Sequence, residues 1–125
     1  MSYAYCPQRG DIVWMSMSPQ AGSEQRGRRP ALVLSPQSYN RTAGLALCCP
    51  LTSKQKGYPF EVPVGEGLPI TGVILADQLR SLDWRARDCA RISTSSDATV
   101  ERVLHLLSLL LTPGSRVEME DTAED

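Results

Sequence analysis

Gly22-Ser23-Glu24-Gln25-Arg26-Gly27-Arg28-Arg29-Pro30-Ala31-Leu32-Val33-Leu34-Ser35-Pro36 falls into two halves of opposite character. The first is polar, with two glycines and three crowded arginines. The second is the apolar run Ala31-Leu32-Val33-Leu34, stopped by Ser35-Pro36, which reads as a buried strand. The arginines therefore stand where a loop enters a rigid strand, a place suited to fixing a charge in space. Three guanidiniums with one carboxylate, Glu24, suit a phosphate-bearing ligand, because the planar fork of Arg matches phosphate oxygens in pairs. A solvated loop with surface arginines is the plain alternative.

Outward from this stretch the chain reads as short strands punctuated by Gly and Pro. Residues 11–17 form the first strand, 31–34 the second and 45–51 the third, with Pro50 marking an edge or a bulge. Residues 38–44 read as a polar link that turns at Asn40, and residues 52–57 as a basic loop. Residues 60–64 and 72–76 read as further strands, 77–82 as strand and turn, and 84–92 as a last strand. Trp14, inside the first strand, is assigned to the core.

One helix is expected, capped by Ser96 or Asp97, with Val100, Val103, Leu104, Leu107, Leu110 and Leu111 on its apolar face. Glu101, Arg102, His105 and Leu109 fall on the opposite face, and Thr112-Pro113-Gly114 ends it. Many short strands and one C-terminal helix imply a mainly β (α+β) fold, a small β-barrel or strongly curved sheet capped by the helix.

The 125 residues make one domain with a single core. The net charge of -1 hides an asymmetry: residues 1–112 hold 12 basic and 9 acidic side chains, while 113–125 hold five acidic ones against Arg116. The body, at +3, lacks the strongly basic footprint of a duplex-binding protein but suits a small site where a few cations gather. The acidic tail from 113 has no apolar pattern and is expected to be disordered. No 18-residue apolar run and no signal-like start occur, which points to the cytoplasm. Cys6, Cys48, Cys49 and Cys89 lack metal-ligand spacing and read as free thiols of a reducing compartment.

The only histidine, His105, follows Glu101 by four residues, which suits a surface pair rather than a catalytic dyad. No Gly-Lys-Ser or Gly-Lys-Thr phosphate loop occurs, and no carboxylates are paired at metal-ligand spacing. Arg, Glu, Thr and Lys in loops at strand ends remain; among them Arg29 is held by Pro30 and the strand behind it, and Thr52 ends the third strand. Were those strands neighbours, both could address one phosphate, Arg29 steadying its charge and Thr52 hydrogen-bonding its oxygens. Glu24 can take or relay a proton if burial raises its pKa. Cleavage of RNA by its own 2'-hydroxyl needs no more than this, and Trp14, Tyr58, Phe60 and Trp84 can offer faces for unpaired bases.

The pieces Gly10-Asp11-Ile12-Val13-Trp14, Gly22-Ser23-Glu24-Gln25, Arg29-Pro30-Ala31-Leu32-Val33-Leu34-Ser35, Pro50-Leu51-Thr52-Ser53, Lys56-Gly57-Tyr58-Pro59-Phe60-Glu61-Val62 and Leu75-Ala76-Asp77-Gln78-Leu79-Arg80-Ser81-Leu82-Asp83-Trp84-Arg85-Ala86-Arg87 occur in this order. Together they resemble the MazF/PemK family of toxin endoribonucleases over roughly residues 9 to 111. The resemblance implies an SH3-like barrel of the plasmid-maintenance type spanning 1–112, a homodimer, and metal- and cofactor-independent cleavage of single-stranded RNA to 2',3'-cyclic phosphate and 5'-hydroxyl ends. It assigns catalysis to Arg29 and Thr52, with Glu24 tied to activity. RNA contacts are expected from Arg26, Arg28, Lys54, Lys56, Gln78, Arg80, Arg85 and Arg87. A cognate MazE-like antitoxin with a disordered acidic segment is the implied partner. The competing expectation is a non-enzymatic CcdB-like toxin that poisons gyrase through protein contact.

Overall fold

A computed structural model of the chain describes residues 5–16 and 27–117. Seven strands follow in sequence: β1 Asp11–Ser16, β2 Arg28–Val33, β3 Ala46–Thr52, β4 Glu61–Pro63, β5 Val73–Leu75, β6 Arg80–Leu82 and β7 Ala90–Thr94. Among the described elements two helices accompany them, α1 Gln37–Ala43 and α2 Asp97–Leu111. All described pairings are antiparallel, in the spatial order β4-β5-β3-β2-β1-β7, with β6 also on β3. No described pairing joins β4 to β7, so the sheet curves without closing.

The apolar runs are buried on both faces of the sheet, and alternation along each strand sorts them. Ile12, Leu32, Cys49 and Leu51 face one cluster together with Phe60, Val62 and Ile74. Val13, Met15, Ala31, Val33 and Cys48 face a second cluster with Leu82 and Trp84. Adjacent Cys48 and Cys49 therefore point to opposite sides of β3, and all four cysteines are free thiols. Burial raises the pKa of both thiols, that of Cys49 to about 12 with help from Asp77.

Strand β3 changes partner along its length, pairing Ala46–Cys48 with β6 and Leu51–Thr52 with β5. Pro50, which has no N–H to donate, sits between the two sets. The expected edge is not found, since β3 is a central strand and Pro50 pairs in register with Ala31 of β2. Pro63 lies in β4, at the edge of the sheet, where a missing donor is tolerated.

Three expectations need correction. The link at 38–44 is the helix α1. It buries only Asn40, a polar residue, so no apolar stripe announced it. Asn40 compensates by hydrogen bonding: its Oδ1 accepts from Ser35 Oγ at 2.5 Å, and its Nδ2 donates to Pro7 O at 2.8 Å and Ser35 O at 3.1 Å. Gly44, at φ 74, closes the helix in the left-handed conformation that favours glycine. The only sequence marks of this element were Pro36 before it and Gly44 after it.

The last strand covers Ala90–Thr94, not 84–92, because residues 84–88 form turns. Helix α2 begins as expected, with Ser96 Oγ accepting from Thr99 N–H at 3.2 Å. Its buried face, however, is Val100, Val103, Leu106 and Leu107, with Leu109 packed alongside. Leu104, Leu110 and Leu111 are exposed, at 37%, 46% and 69%. The second half of α2 is leucine nearly all round, so periodicity alone leaves its orientation undetermined. No described helix is long and apolar enough to cross a membrane.

Candidate active site

The register between β2 and β3 pairs Ala31 with Pro50, Leu32 with Cys49 and Val33 with Cys48. Continued by two residues, it sets Arg29 level with Thr52. Alternation puts both on the face that carries Ala31 and Cys48. Arg29 and Thr52 line one hollow of about 630 Å³ at the strand ends. Pro30 and Pro50 also line it, so two of the strand positions bounding the hollow lack an N–H donor.

Arg29 is exposed and Thr52 half-buried. Thr52 Oγ1 accepts a hydrogen bond from the Lys54 N–H at 3.1 Å. With that lone pair engaged, the hydroxyl proton is available to an oxygen in the hollow. On the other side Thr52 is backed by Gly72 (φ +120), where a Cβ would stand 2.3 Å from the Thr52 carbonyl oxygen. Only glycine fits against this strand end.

The expected RNA-contacting residues separate into two groups. Arg28, Lys54, Gln78 and Arg80 line the hollow with Arg29 and Thr52. The Nε of Arg28 is buried and has no hydrogen-bond partner among the described residues, a donor left without an acceptor beside the site. Arg85 and Arg87 lie elsewhere, serving the scaffold. Arg85 Nη2 donates to Arg41 O at 2.8 Å, and its guanidinium stands 4.9 Å from the centre of the Trp84 ring. Arg87 Nη1 donates to Ser16 O at 2.7 Å and ties the end of β1. Lys56 is on the exposed loop after Thr52 and does not line the hollow. Glu24 and Arg26 lie outside the described residues.

Of the two tryptophans, Trp14 departs from the place expected of it, and Trp84, for which core and base-stacking stood open, is core. Trp14, assigned to the core, is 37% exposed and lines the hollow beside Pro30, its partner across β1 and β2. Trp84 is 3% exposed and donates from Nε1 to Asn40 O at 2.9 Å, so it is a core residue holding α1. Phe60 is also core, whereas Tyr58 is exposed and its ring stands 6.0 Å from that of Phe60. A hydrogen bond to Asp77 raises the Tyr58 pKa. The hollow further includes Ile70 and Thr71, which lie before β5 in a stretch that also holds Gly65, Gly67 and Pro69. Among the described residues no cluster of His, Cys, Asp or Glu is placed to hold a metal ion. His105 is exposed on α2, away from the hollow.

A buried carboxylate supports the first strand from behind. Asp11 accepts from the Tyr5 hydroxyl and from Gln8 N–H at 3.2 Å, and Arg91 Nε lies 3.7 Å from it. Burial and the Asp11 charge push the Tyr5 pKa up. This cluster is structural and contributes nothing to the hollow.

Residues 8–111 match the family described as "PemK-like, MazF-like toxin of type II toxin-antitoxin system". The endoribonuclease toxin MazF of Escherichia coli K12 is 44% identical over 107 residues, covering 86% of this chain and 96% of that protein. A crystal structure of MazF from Deinococcus radiodurans superposes with a TM-score of 0.78 at 50% identity, covering 86% and 97%. A MazE-MazF crystal structure from the same organism gives 0.77 at 44% identity, covering 86% and 96%.

Proposed function

The chain belongs to the PemK-like, MazF-like family of type II toxin–antitoxin toxins and is an endoribonuclease toxin of that kind; on this premise we propose that it cuts single-stranded RNA in the hollow between β2 and β3, with Arg29 and Thr52 at the scissile phosphate. The observation that carries the assignment is that Arg29 and Thr52 line one hollow at the ends of β2 and β3. The 2'-hydroxyl of the substrate attacks phosphorus, the P–O5' bond breaks, and the products carry a 2',3'-cyclic phosphate and a 5'-hydroxyl. The attacking hydroxyl gives up one proton and the leaving oxygen takes one up. Glu24 serves this proton traffic. Arg29 stabilises the charge that builds on the non-bridging oxygens, and Thr52 donates its hydroxyl to one of them.

Neither metal nor cofactor enters this scheme, since the substrate supplies the nucleophile. Arg28, Lys54, Gln78 and Arg80 bind the flanking RNA, and the unsatisfied Arg28 Nε finds an acceptor there. Trp14 offers a face to an unpaired base at the rim. The names of the relatives favour this reading over a CcdB-like toxin without enzymatic activity.

Residues 1–112 constitute the toxin domain, and the acidic residues after it form a tail. Two copies associate through the exposed face of α2, where Leu104 and Leu111 border an apolar groove of about 620 Å³. The partner is a MazE-like antitoxin, as the MazE-MazF complexes of a relative suggest, whose acidic segment complements the cation-lined hollow. The four free thiols suit the cytoplasm. The experiment is incubation of the purified protein with long single-stranded RNA in chelator, with 5' ends mapped. Cutting at a recurrent short sequence is expected, and Arg29→Ala and Thr52→Ala each lower its rate about 10²–10³-fold. Full cutting by either variant overturns the assignment.

A further inference from the structure

Glu61 stands outside the hollow, on β4, yet its carboxylate gathers the backbone of the loop that follows Thr52. Its Oε1 accepts from the N–H groups of Lys56 at 3.2 Å, Gly57 at 2.9 Å and Tyr58 at 3.2 Å, and its Oε2 accepts from Lys56 at 3.0 Å. Its own N–H donates to Tyr58 O at 3.0 Å. Between Thr52 and Glu61 the chain has neither helix nor strand, so these bonds stand in for a ladder. Bonds from N–H to an ionised carboxylate are about twice as strong as neutral ones, which makes this a firm anchor for an exposed loop. The same loop begins with Lys54, whose N–H engages Thr52 Oγ1 and whose side chain lines the hollow.

The geometry points to Glu61 as a positioning residue for RNA cleavage: by gripping residues 56–58 it holds Lys54 where its amide orients the Thr52 hydroxyl. The inference rests on the reading of Thr52 as catalytic. Glu61 acts through the loop and touches no reacting atom. Without its carboxylate, three amides turn to water, the loop loosens, and Thr52 Oγ1 loses the donor that fixes its rotation. The hydroxyl then spends less time aimed at the phosphate. Preorganisation of this kind governs the chemical step more than binding.

The test compares single-turnover cleavage with affinity for an RNA whose attacking 2'-hydroxyl is replaced by hydrogen. Glu61→Ala is expected to lower the cleavage rate at least tenfold while affinity changes less than threefold. Glu61→Gln keeps an oxygen for Gly57 and Tyr58 but sets an amide N–H against that of Lys56, so its rate should fall between wild type and Ala. The deciding measurement is the Thr52→Ala/Glu61→Ala double variant, which should cut no slower than Thr52→Ala alone. If the two losses multiply, or Glu61→Ala cuts at the wild-type rate, Glu61 does not act through Thr52 and the inference fails. Should Glu61→Ala not fold, Glu61→Gln alone and combined with Thr52→Ala carries the same comparison, and a wild-type rate in the single variant is the refuting result. Full activity in Thr52→Ala would instead refute the catalytic assignment itself, so the two failures are distinct.

Discussion

Gly72→Ala tests how the strand end carrying Thr52 is held. A Cβ at residue 72 would stand 2.3 Å from Thr52 O, 3.0 Å from its carbonyl carbon and 3.2 Å from Ser53 Cα, all backbone atoms that cannot swing away. Restoring an ordinary contact of ~3.5 Å requires β3 or the turn before β5 to move by about 1 Å. Gly65 supplies the control, because it has a similar backbone (φ +107 against +120) but open space where its Cβ would be. Both substitutions carry the cost of a left-handed alanine, about 1–3 kcal/mol. Only Gly72→Ala adds overpacking, about 1–3 kcal/mol more. For a chain of this size that difference lowers the melting midpoint of Gly72→Ala below that of Gly65→Ala by roughly 5–15 °C. Thr52 moves with its carbonyl, and a displacement of ~1 Å at a reacting site can cost on the order of 100-fold in rate. The assay is thermal unfolding by circular dichroism together with RNA cleavage at a temperature where both variants are folded. Gly65→Ala should cut near the wild-type rate and Gly72→Ala at least tenfold more slowly. Equal midpoints and equal rates in the two variants would refute the idea that Gly72 sets the position of Thr52.

Arg80→Ala should weaken RNA binding and reduce the magnitude of the slope of log affinity against log salt by about 0.7, the share of one phosphate contact on a single strand, as measured by filter binding. Arg87→Ala should leave that slope unchanged and instead lower stability to urea by about 1.5–3 kcal/mol, through loss of its bond to Ser16 O. Trp84→Phe removes the donor to Asn40 O and should destabilise by about 1–2 kcal/mol without altering the cleavage rate of the folded protein. The Cys49 and Cys89 thiols, each raised to about 12, titrate later in the folded chain than in the unfolded one. Their contribution to stability is therefore complete below about pH 9 and is lost as pH rises toward 12. Urea midpoints should fall across that window, and Cys49→Ala should flatten the fall. At pH 8, Cys48 and Cys49 should resist Ellman's reagent until the chain is unfolded.

Much of the proposed site was legible because the chemistry proposed for it needs particular residue types. The apolar run at 31–34 announced a strand buried on both sides, and the arginine immediately before Pro30 stood where a rigid element could hold it. Thr52 likewise stood at the end of an apolar run. Misplaced elements share a cause, since each depends on what covers a surface rather than on the run of residues along it. The helix α1 follows a polar side chain into the interior. Arg85 and Arg87, basic like the residues of the hollow, are engaged by carbonyls at 41 and 16, distant in sequence.

By itself the sequence determined most of the strands, the start of α2 and the inventory of cations and hydroxyls, because these follow from local periodicity, capping and composition. Tertiary structure alone decided that Arg29 and Thr52 line one hollow, because β2 and β3 are brought together by pairing between segments about twenty residues apart. It also decided that Trp14 is open and Trp84 covered, since alternation tells which residues share a face but not which end of that face is left bare. The orientation of α2 was decided in the same way, as a helix whose second half is leucine nearly all round turns toward whichever sheet surface it packs against.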